Sequence, residues 1–241
     1  MLDNRGKPAK FKNPIKIQIN MPKFGGLRLY RKTRKIFRKK YDNEAFWKDD
    51  FGKGYYNMYT KKQHYKDWMI NHEKELVKFL KTSEFESILE FGAGFGRMSK
   101  VISENFNINT YDAFDISSDQ IQNAKKHCKE LSINFTVSSF EDFKSDKKYD
   151  IVLGCECLLH IPPEKVEEYI SKMLSYSKKY FIITGLPYKP NAEEQFDVLN
   201  RCVNTWYHDY DKIFKSHNLS IQKISTNGKS GDNEITICIK N

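Results

Sequence analysis

No uninterrupted apolar run in the 241 residues approaches the roughly 18 needed for a membrane-spanning helix. The opening stretch MLDNRGKPAKFKNP lacks the apolar core of a signal peptide, so the expected compartment is the cytoplasm. Cysteine is sparse and odd in number. Cys128, Cys155, Cys157, Cys202 and Cys238 form no C-x-x-C pair and no His–Cys spacing suited to zinc. That argues against a disulfide framework or a structural zinc site, and reduced, buried thiols are expected. No cluster of Asp, Glu and His at ligand spacing suggests another metal, and no internal repeat is apparent.

Acid is missing where base is dense. Residues 1–40 hold fourteen Lys/Arg and a single acid, Asp3, a local charge of +13, while the other 201 residues carry 27 bases against 30 acids. The excess charge belongs to an arm, and the body is close to neutral. With 39% hydrophobic residues the body can build a sizeable core, so a wholly disordered chain is excluded.

Three regions follow: a basic arm (1–40), an aromatic-rich helical segment or lid (41–82) and the main domain (83–241). Gly25–Gly26 makes a natural joint ahead of a basic helix. At helical spacing Leu29, Tyr30, Thr33, Ile36 and Phe37 share one face, and Arg31, Arg34, Lys35, Arg38 and Lys39 crowd the other. Such a helix suits an anionic membrane surface at ~1 kcal/mol per basic residue, or RNA phosphates, or is simply solvated. The apolar stripe favours the membrane, and so peripheral attachment. Segment 41–82 is dense in rings, Trp47, Tyr55, Tyr56, Tyr59 and Trp68 among them. Most are expected in the core; Tyr55, Tyr56 and Tyr59 are candidates to cover a ligand.

From Ser87 onward short apolar runs alternate with helical patterns. Strands are expected at 87–91, 110–114, 133–137, 149–153, 180–184, 220–224 and 234–239, with helices near 97–105, 118–131, 163–177 and 192–217. Strands separated by helices call for a parallel sheet, because parallel neighbours need a long crossover. The last two strands, separated only by a short turn at GKSGDN, should form an antiparallel hairpin. The expected fold is α/β: a Rossmann-like, mostly parallel seven-stranded sheet with helices on both faces and a C-terminal hairpin, preceded by the basic helical extension.

The sharpest chemical signal is Glu90-Phe-Gly92-Ala93-Gly94-Phe-Gly96-Arg97, which follows the first strand and opens a helix. Glycine is needed where backbone approaches a ligand closely or takes positive φ, and a helix N-terminus offers free N–H groups. The spacing is E-x-G-x-G-x-G. It matches neither the dinucleotide fingerprint G-x-G-x-x-G nor the phosphate loop G-x-x-x-x-G-K-[ST], so hydride transfer and nucleotide hydrolysis both lose ground.

In this motif, and from about Ser87 to the C-terminus, the chain resembles the class I S-adenosylmethionine-dependent methyltransferases, in their small-molecule branch. The resemblance implies an enzyme with S-adenosyl-L-methionine as cofactor, its methionine and ribose parts cradled by Glu90, Gly92, Ala93, Gly94 and Gly96. It implies a ribose-binding carboxylate at Asp115, followed by Ile116. Asp115 is preferred to Asp112 because the family pattern there runs acid, aliphatic, small residue, helix. After the third strand, Ser139 stands where the family carries an acid, so the adenine contact falls to Ser139, the Phe140 amide or Glu141. After the fourth, Gly154 and Cys155 are expected against the cofactor through backbone. His160 recurs in that branch, with packing and catalysis as competing readings. The [DNS]-P-P-[YFW] element of amino-methylating nucleic-acid enzymes is absent, and Cys155 and Cys157 lack the proline that precedes a nucleophilic Cys in carbon-5 cytosine enzymes.

A hydroxyl acceptor also needs a base. The segment Asn204-Thr-Trp206-Tyr207-His208-Asp209-Tyr210 borders the acceptor pocket in that family. It supplies His208 as base and Asp209 or Tyr210 to orient the acceptor; the competing reading is a helix start with Asp209 as cap. The expected activity is methyl transfer to oxygen or nitrogen of a small-molecule, saccharide or lipid-linked acceptor. An RNA methyltransferase docking through the arm and a catalytically inactive cofactor-binding scaffold are the alternatives.

Overall fold

Successive residues of a strand face opposite sides of a sheet, and here both sides are apolar, which requires cover on each. The computed structural model describes residues 43–48, 56, 63–185, 195–196, 204–206, 208–226 and 234–240. The basic arm, Tyr55, Tyr59, Tyr207, Cys202 and the GKSGDN turn lie outside them. Two helices, α1 (Asn43–Lys48) and α2 (Gln63–Leu80), precede the sheet. Then come β1 (Ser87–Phe91), α3 (Arg97–Asn105), β2 (Thr110–Asp115), α4 (Ser118–His127), β3 (Asn134–Val137) and β4 (Tyr149–Cys155). A 3-10 turn (Leu158–His160) leads to α5 (Pro163–Tyr176), β5 (Ser177–Gly185), β6 (Gln195–Phe196), β7 (Asn204–Thr205), α6 (Tyr210–Ser216), β8 (Ser220–Ser225) and β9 (Glu234–Ile239).

Seven strands form one sheet in the order β3-β2-β1-β4-β5-β9-β8. The first four junctions are parallel, whereas β9 is antiparallel to both β5 and β8. The strand alternation sorts the core into two layers. Leu89, Phe91, Phe114, Val152, Phe181, Ile183 and Cys238 pack with Val166, Ile170 and Met173 of α5 and Phe214 of α6. Their neighbours Ile88, Tyr111, Ala113, Ile151, Leu153, Ile182, Ile235 and Ile237 pack with Leu76 and Leu80 of α2, Met98 and Ile102 of α3, and Ile121 and Ala124 of α4.

Two expectations need correction. Among the described residues of the helix expected over 192–217, helix runs only from Tyr210 to Ser216, and β6 and β7 pair antiparallel ahead of it, Gln195 opposite Thr205. The helix expected to reach residue 131 ends at His127, because the Cys128 N–H closes onto Ala124 O while Cys128 itself leaves helical geometry.

The lower rim of the sheet is fastened by carboxylates. Asp150 Oδ2 accepts from Glu86 N (2.9 Å), Ser87 N (3.1 Å) and Ser87 Oγ (2.9 Å), locking the start of β4 to that of β1. Asp112 accepts from Tyr149 OH (2.6 Å), Asn134 Nδ2 (2.9 Å) and Lys147 Nζ (3.0 Å). That commits Asp112 to the sheet and leaves Asp115 as the acid at the tip of β2. From β1 the chain runs outward to β2 and β3, then returns across to β4. The crevice therefore opens between the carboxyl ends of β1 and β4, the switch point of the topology.

Candidate functional site

The backbone must turn sharply between β1 and α3 to reach that crevice. Gly92 takes φ +61 and Gly94 φ +56, a region costly for residues with a Cβ. The two glycines answer different needs. A Cβ on Gly92 would lie 2.3 Å from Cys157 Sγ, so the loop after β4 presses directly on it. A Cβ on Gly94 would meet nothing within 4 Å and would project into open space. Gly96 faces away, toward Ala124, Cys128 and Phe135, and seats the start of α3 on its neighbours.

Hydrogen bonds tie the loop to β2. Ala93 N donates to Phe114 O at 3.0 Å, and Gly94 N to Asp115 Oδ2 at 2.8 Å. The other oxygen, Oδ1, accepts from Ser117 N at 2.9 Å. Each carboxylate oxygen retains acceptor capacity beyond its amide. Burial raises the Asp115 pKa above the usual carboxylate value, while the Ser117, Gly94 and Ile116 amides pull it back. Glu90 is fully enclosed and accepts from Ser99 Oγ (2.5 Å) and Tyr111 OH (2.8 Å). Burial pushes its carboxyl to about 7 against those bonds.

Around this loop lies a cleft of about 1070 Å³ of empty space, its open mouth included. Of the expected site residues, Glu90, Gly92, Ala93, Gly94, Asp115, Ile116, Phe140, Glu141, Cys155 and His160 line it. Tyr59 lies outside the described residues. Gly96, Ser139 and Gly154 stand behind the wall. Ser139 Oγ bonds within its own turn, donating to Asp142 Oδ2 (2.8 Å) and accepting from Asp142 N (3.0 Å), and Ser138 faces the cleft instead. Gly154 is glycine for packing: a Cβ there would sit 2.0 Å from the Phe91 ring.

His208, Asp209 and Tyr210 do not line the cleft either. His208 is buried with Nε2 3.1 Å from Leu158 O, and burial lowers its pKa to about 4. Asp209 Oδ1 caps α6 by accepting from Lys212 N at 3.1 Å. Tyr210 stacks in the core on Phe214, ring centroids 6.0 Å apart.

Other lining residues carried no sequence signal of their own. Trp47, from α1, meets the His160 ring at a centroid distance of 4.8 Å and walls the mouth. Tyr169, from α5, stacks on Phe140 at 4.7 Å with 11° between planes, which gives the cleft a flat aromatic wall. Arg97 reaches in from the start of α3 and donates to Glu73 Oε1 at 3.0 Å. Glu156 follows β4, and burial raises its pKa to about 7 although the Arg97 charge opposes the shift. Burial likewise pushes Cys155 up to about 12 and Cys157 higher still, so both thiols are protonated near neutral pH and are poor nucleophiles.

These residues fit an adenosyl sulfonium. Asp115 offers a buried, amide-anchored carboxylate to paired hydroxyls, the Ile116 and Phe140 side offers an apolar slot for a flat base, and the glycine loop leaves room for close approach. Among the described residues no group of His, Cys, Asp and Glu is arranged to hold a metal ion.

Residues 88–179 match a family model described as a methyltransferase domain. The chain is 28% identical over 137 residues to the ubiquinone biosynthesis O-methyltransferase of Rickettsia felis, covering 53% of this chain and 54% of that one. It is 38% identical over 74 residues to a malonyl-acyl-carrier-protein O-methyltransferase of Ilyobacter polytropus, covering 30% and 29%. The chain thus spans about half the length, or less, of these curated relatives. Among solved structures, magnesium protoporphyrin IX methyltransferase from Synechocystis with bound S-adenosylmethionine superposes with a TM-score of 0.67 at 18% identity, over 83% of this chain and 98% of that one. The N-methyltransferase NodS of Bradyrhizobium japonicum gives 0.59 at 13%, over 71% and 96%. At these identities the likeness is one of fold.

Proposed function

We propose that this chain, whose residues 88–179 match a methyltransferase-domain family model, is a class I S-adenosylmethionine-dependent methyltransferase that binds this cofactor in the β1/β4 cleft and methylates a small-molecule or lipid-linked acceptor. Oxygen is the favoured target atom, since the curated relatives are named as O-methyltransferases. The observation that carries the reading is the pairing of the Gly92–Gly94 loop with the amide-anchored Asp115 carboxylate on the next strand.

When bound, S-adenosylmethionine supplies a methyl group already attached to a good leaving group, a positively charged sulfur. The work left to the protein is holding and aiming, and alignment alone can lower a barrier by several kcal/mol. Asp115 holds the ribose hydroxyls, and the Gly94 and Ser117 amides fix its carboxylate in place. Phe140, backed by Tyr169, and Ile116 flank the adenine. Glu90 stands under the loop toward the amino-acid end. Trp47 and His160 wall the mouth through which an acceptor arrives, and their rings displace water from it.

The arm offers a second reading, an RNA acceptor, favoured by the +13 charge of residues 1–40. One experiment addresses both. Transfer of labelled methyl groups into a cell extract, fractionated into lipids, RNA, protein and small metabolites, is expected to mark the small-molecule or lipid fraction. Label confined to RNA would replace the first reading by the second. Failure of the protein to bind S-adenosylhomocysteine in calorimetry would end both.

A further inference from the structure

Glu156 holds a backbone conformation that its residue type does not favour. Its φ is +54; the only other non-glycine residue with positive φ among those described is Asn218, which follows α6, and asparagine tolerates such geometry. For a glutamate the cost is about 1–2 kcal/mol. The surroundings enforce it: Glu156 N donates to Thr184 O at 3.0 Å and lies 3.1 Å from Thr184 Oγ1, both on β5. The left-handed turn breaks the strand alternation and turns residue 156 into the cleft that it lines.

Its place along the cleft follows from the strand order. Asp115 ends β2, Glu156 follows the end of β4, and β1 with its glycine loop lies between them. Two strand spacings put the two acids on the order of 10 Å apart. Cys157, next in sequence, touches Gly92. A ligand whose ribose is held at Asp115 and whose chain crosses the glycine loop therefore brings its sulfur toward Glu156.

Resting on the function proposed above, we propose that the Glu156 carboxylate is the general base for a hydroxyl acceptor. The acceptor oxygen forms its bond to the methyl carbon as the carbon–sulfur bond breaks. That electron pair stays on sulfur, leaving a neutral thioether. The hydroxyl proton passes to Glu156, which releases it to water at the mouth. Among the described residues, Arg97 from α3, itself paired with Glu73, is the charged group that acts on Glu156, and the titratable groups that line the same cleft are Glu90, Asp115, Glu141, Cys155, Cys157, His160 and Tyr169. Arg97 is the cation among them at neutral pH, and it keeps part of the Glu156 population ionised despite burial. A base with a pKa near the working pH is the efficient choice.

The test does not depend on knowing the acceptor. S-adenosylmethionine and S-adenosylhomocysteine share every group except the charged sulfonium, so the difference between them isolates the end of the cleft assigned to Glu156. Calorimetry of the full chain at pH 6, in two buffers of different ionisation enthalpy and with EDTA present, counts protons released on binding. The wild type is expected to release more protons with the sulfonium than with the thioether. In Glu156→Gln that difference should vanish, while homocysteine-form affinity stays within about threefold. In the labelled-methyl assay the same variant should fall by about 10²–10⁴-fold. The acid limb near pH 7 should flatten. An unchanged proton difference in the variant, transfer retained within a few-fold, or transfer abolished by EDTA and restored by a divalent cation would each overturn the assignment. Loss of homocysteine-form binding by the wild type would instead indict the underlying reading.

Discussion

Replacing Asp115 by alanine probes the site at the residue that joins loop to strand. In the unliganded protein the Gly94 and Ser117 amides, now 2.8 and 2.9 Å from its oxygens, lose a charged acceptor. Each unsatisfied amide costs roughly 1–3 kcal/mol if buried. Two effects offset this. Gly94 borders the open cleft, where water can replace the lost partner, and removal of a carboxylate whose pKa is raised by burial relieves a desolvation cost. The net loss of stability should be about 1–2 kcal/mol, small enough to leave a folded protein. Affinity should suffer more, because two ligand hydroxyls lose a charged acceptor together, about 2–4 kcal/mol in all. That corresponds to a roughly 30- to 900-fold weaker dissociation constant. Calorimetric titration with S-adenosylhomocysteine measures it without turnover, and a melting curve of the unliganded variant shows that it is folded. Asp115→Asn, which keeps one acceptor oxygen, should fall between. Wild-type affinity in a folded Asp115→Ala protein would refute the assignment of the cleft.

The glycine loop, the sheet rim and the α6 start give three further expectations. Gly92→Ala should lose both stability and ligand binding, since the new methyl collides with Cys157, whereas Gly94→Ala should cost only the ~1–2 kcal/mol of left-handed strain yet still abolish binding; equal melting temperatures for the two would contradict this. Asp150→Ala strips one acceptor from two amides and a hydroxyl and should cost about 2–3 kcal/mol by chemical denaturation, with ligand affinity per folded molecule unchanged. His208 is held neutral, its pKa lowered to about 4 by burial, so its contribution to stability is complete above the imidazole's ordinary 6.5 and is lost as pH falls toward 4. Melting temperature should therefore decline less steeply over that window in His208→Asn than in the wild type. A steeper decline in the variant would show that the imidazole is charged in the fold.

Local chemistry was open to reading because its causes are local. The run SILEF, between Glu86 and Gly92, becomes β1 with the expected bounds, and EITICI likewise becomes β9. The glycine spacing announced a turn that only positive φ can make. An acid 25 residues after Glu90 fell at the tip of the next parallel strand because strand, helix and strand lengths are nearly fixed.

Contacts between distant segments were not open in the same way. Ser139 and Ser138 are chemically alike, and which one faces the cleft depends on how the turn after β3 closes on Asp142. The stretch 192–217 carries helical periodicity, yet Gln195 and Asn204 lie in strands that pair with each other. Trp47 reaches the site from a helix more than a hundred residues before His160, and Tyr169 does so by stacking on Phe140. Glu156 reads in sequence as one more residue past a strand. Two hydrogen bonds to Thr184 bend it into the cleft, and that partner is supplied by β5 only once the parallel sheet has formed. Sequence alone determined the alternation of strands and helices, the glycine turn and the acid at the tip of β2, since each depends on residues close along the chain. Tertiary structure alone decided which side chains face the reacting centre, since that depends on where separate segments converge.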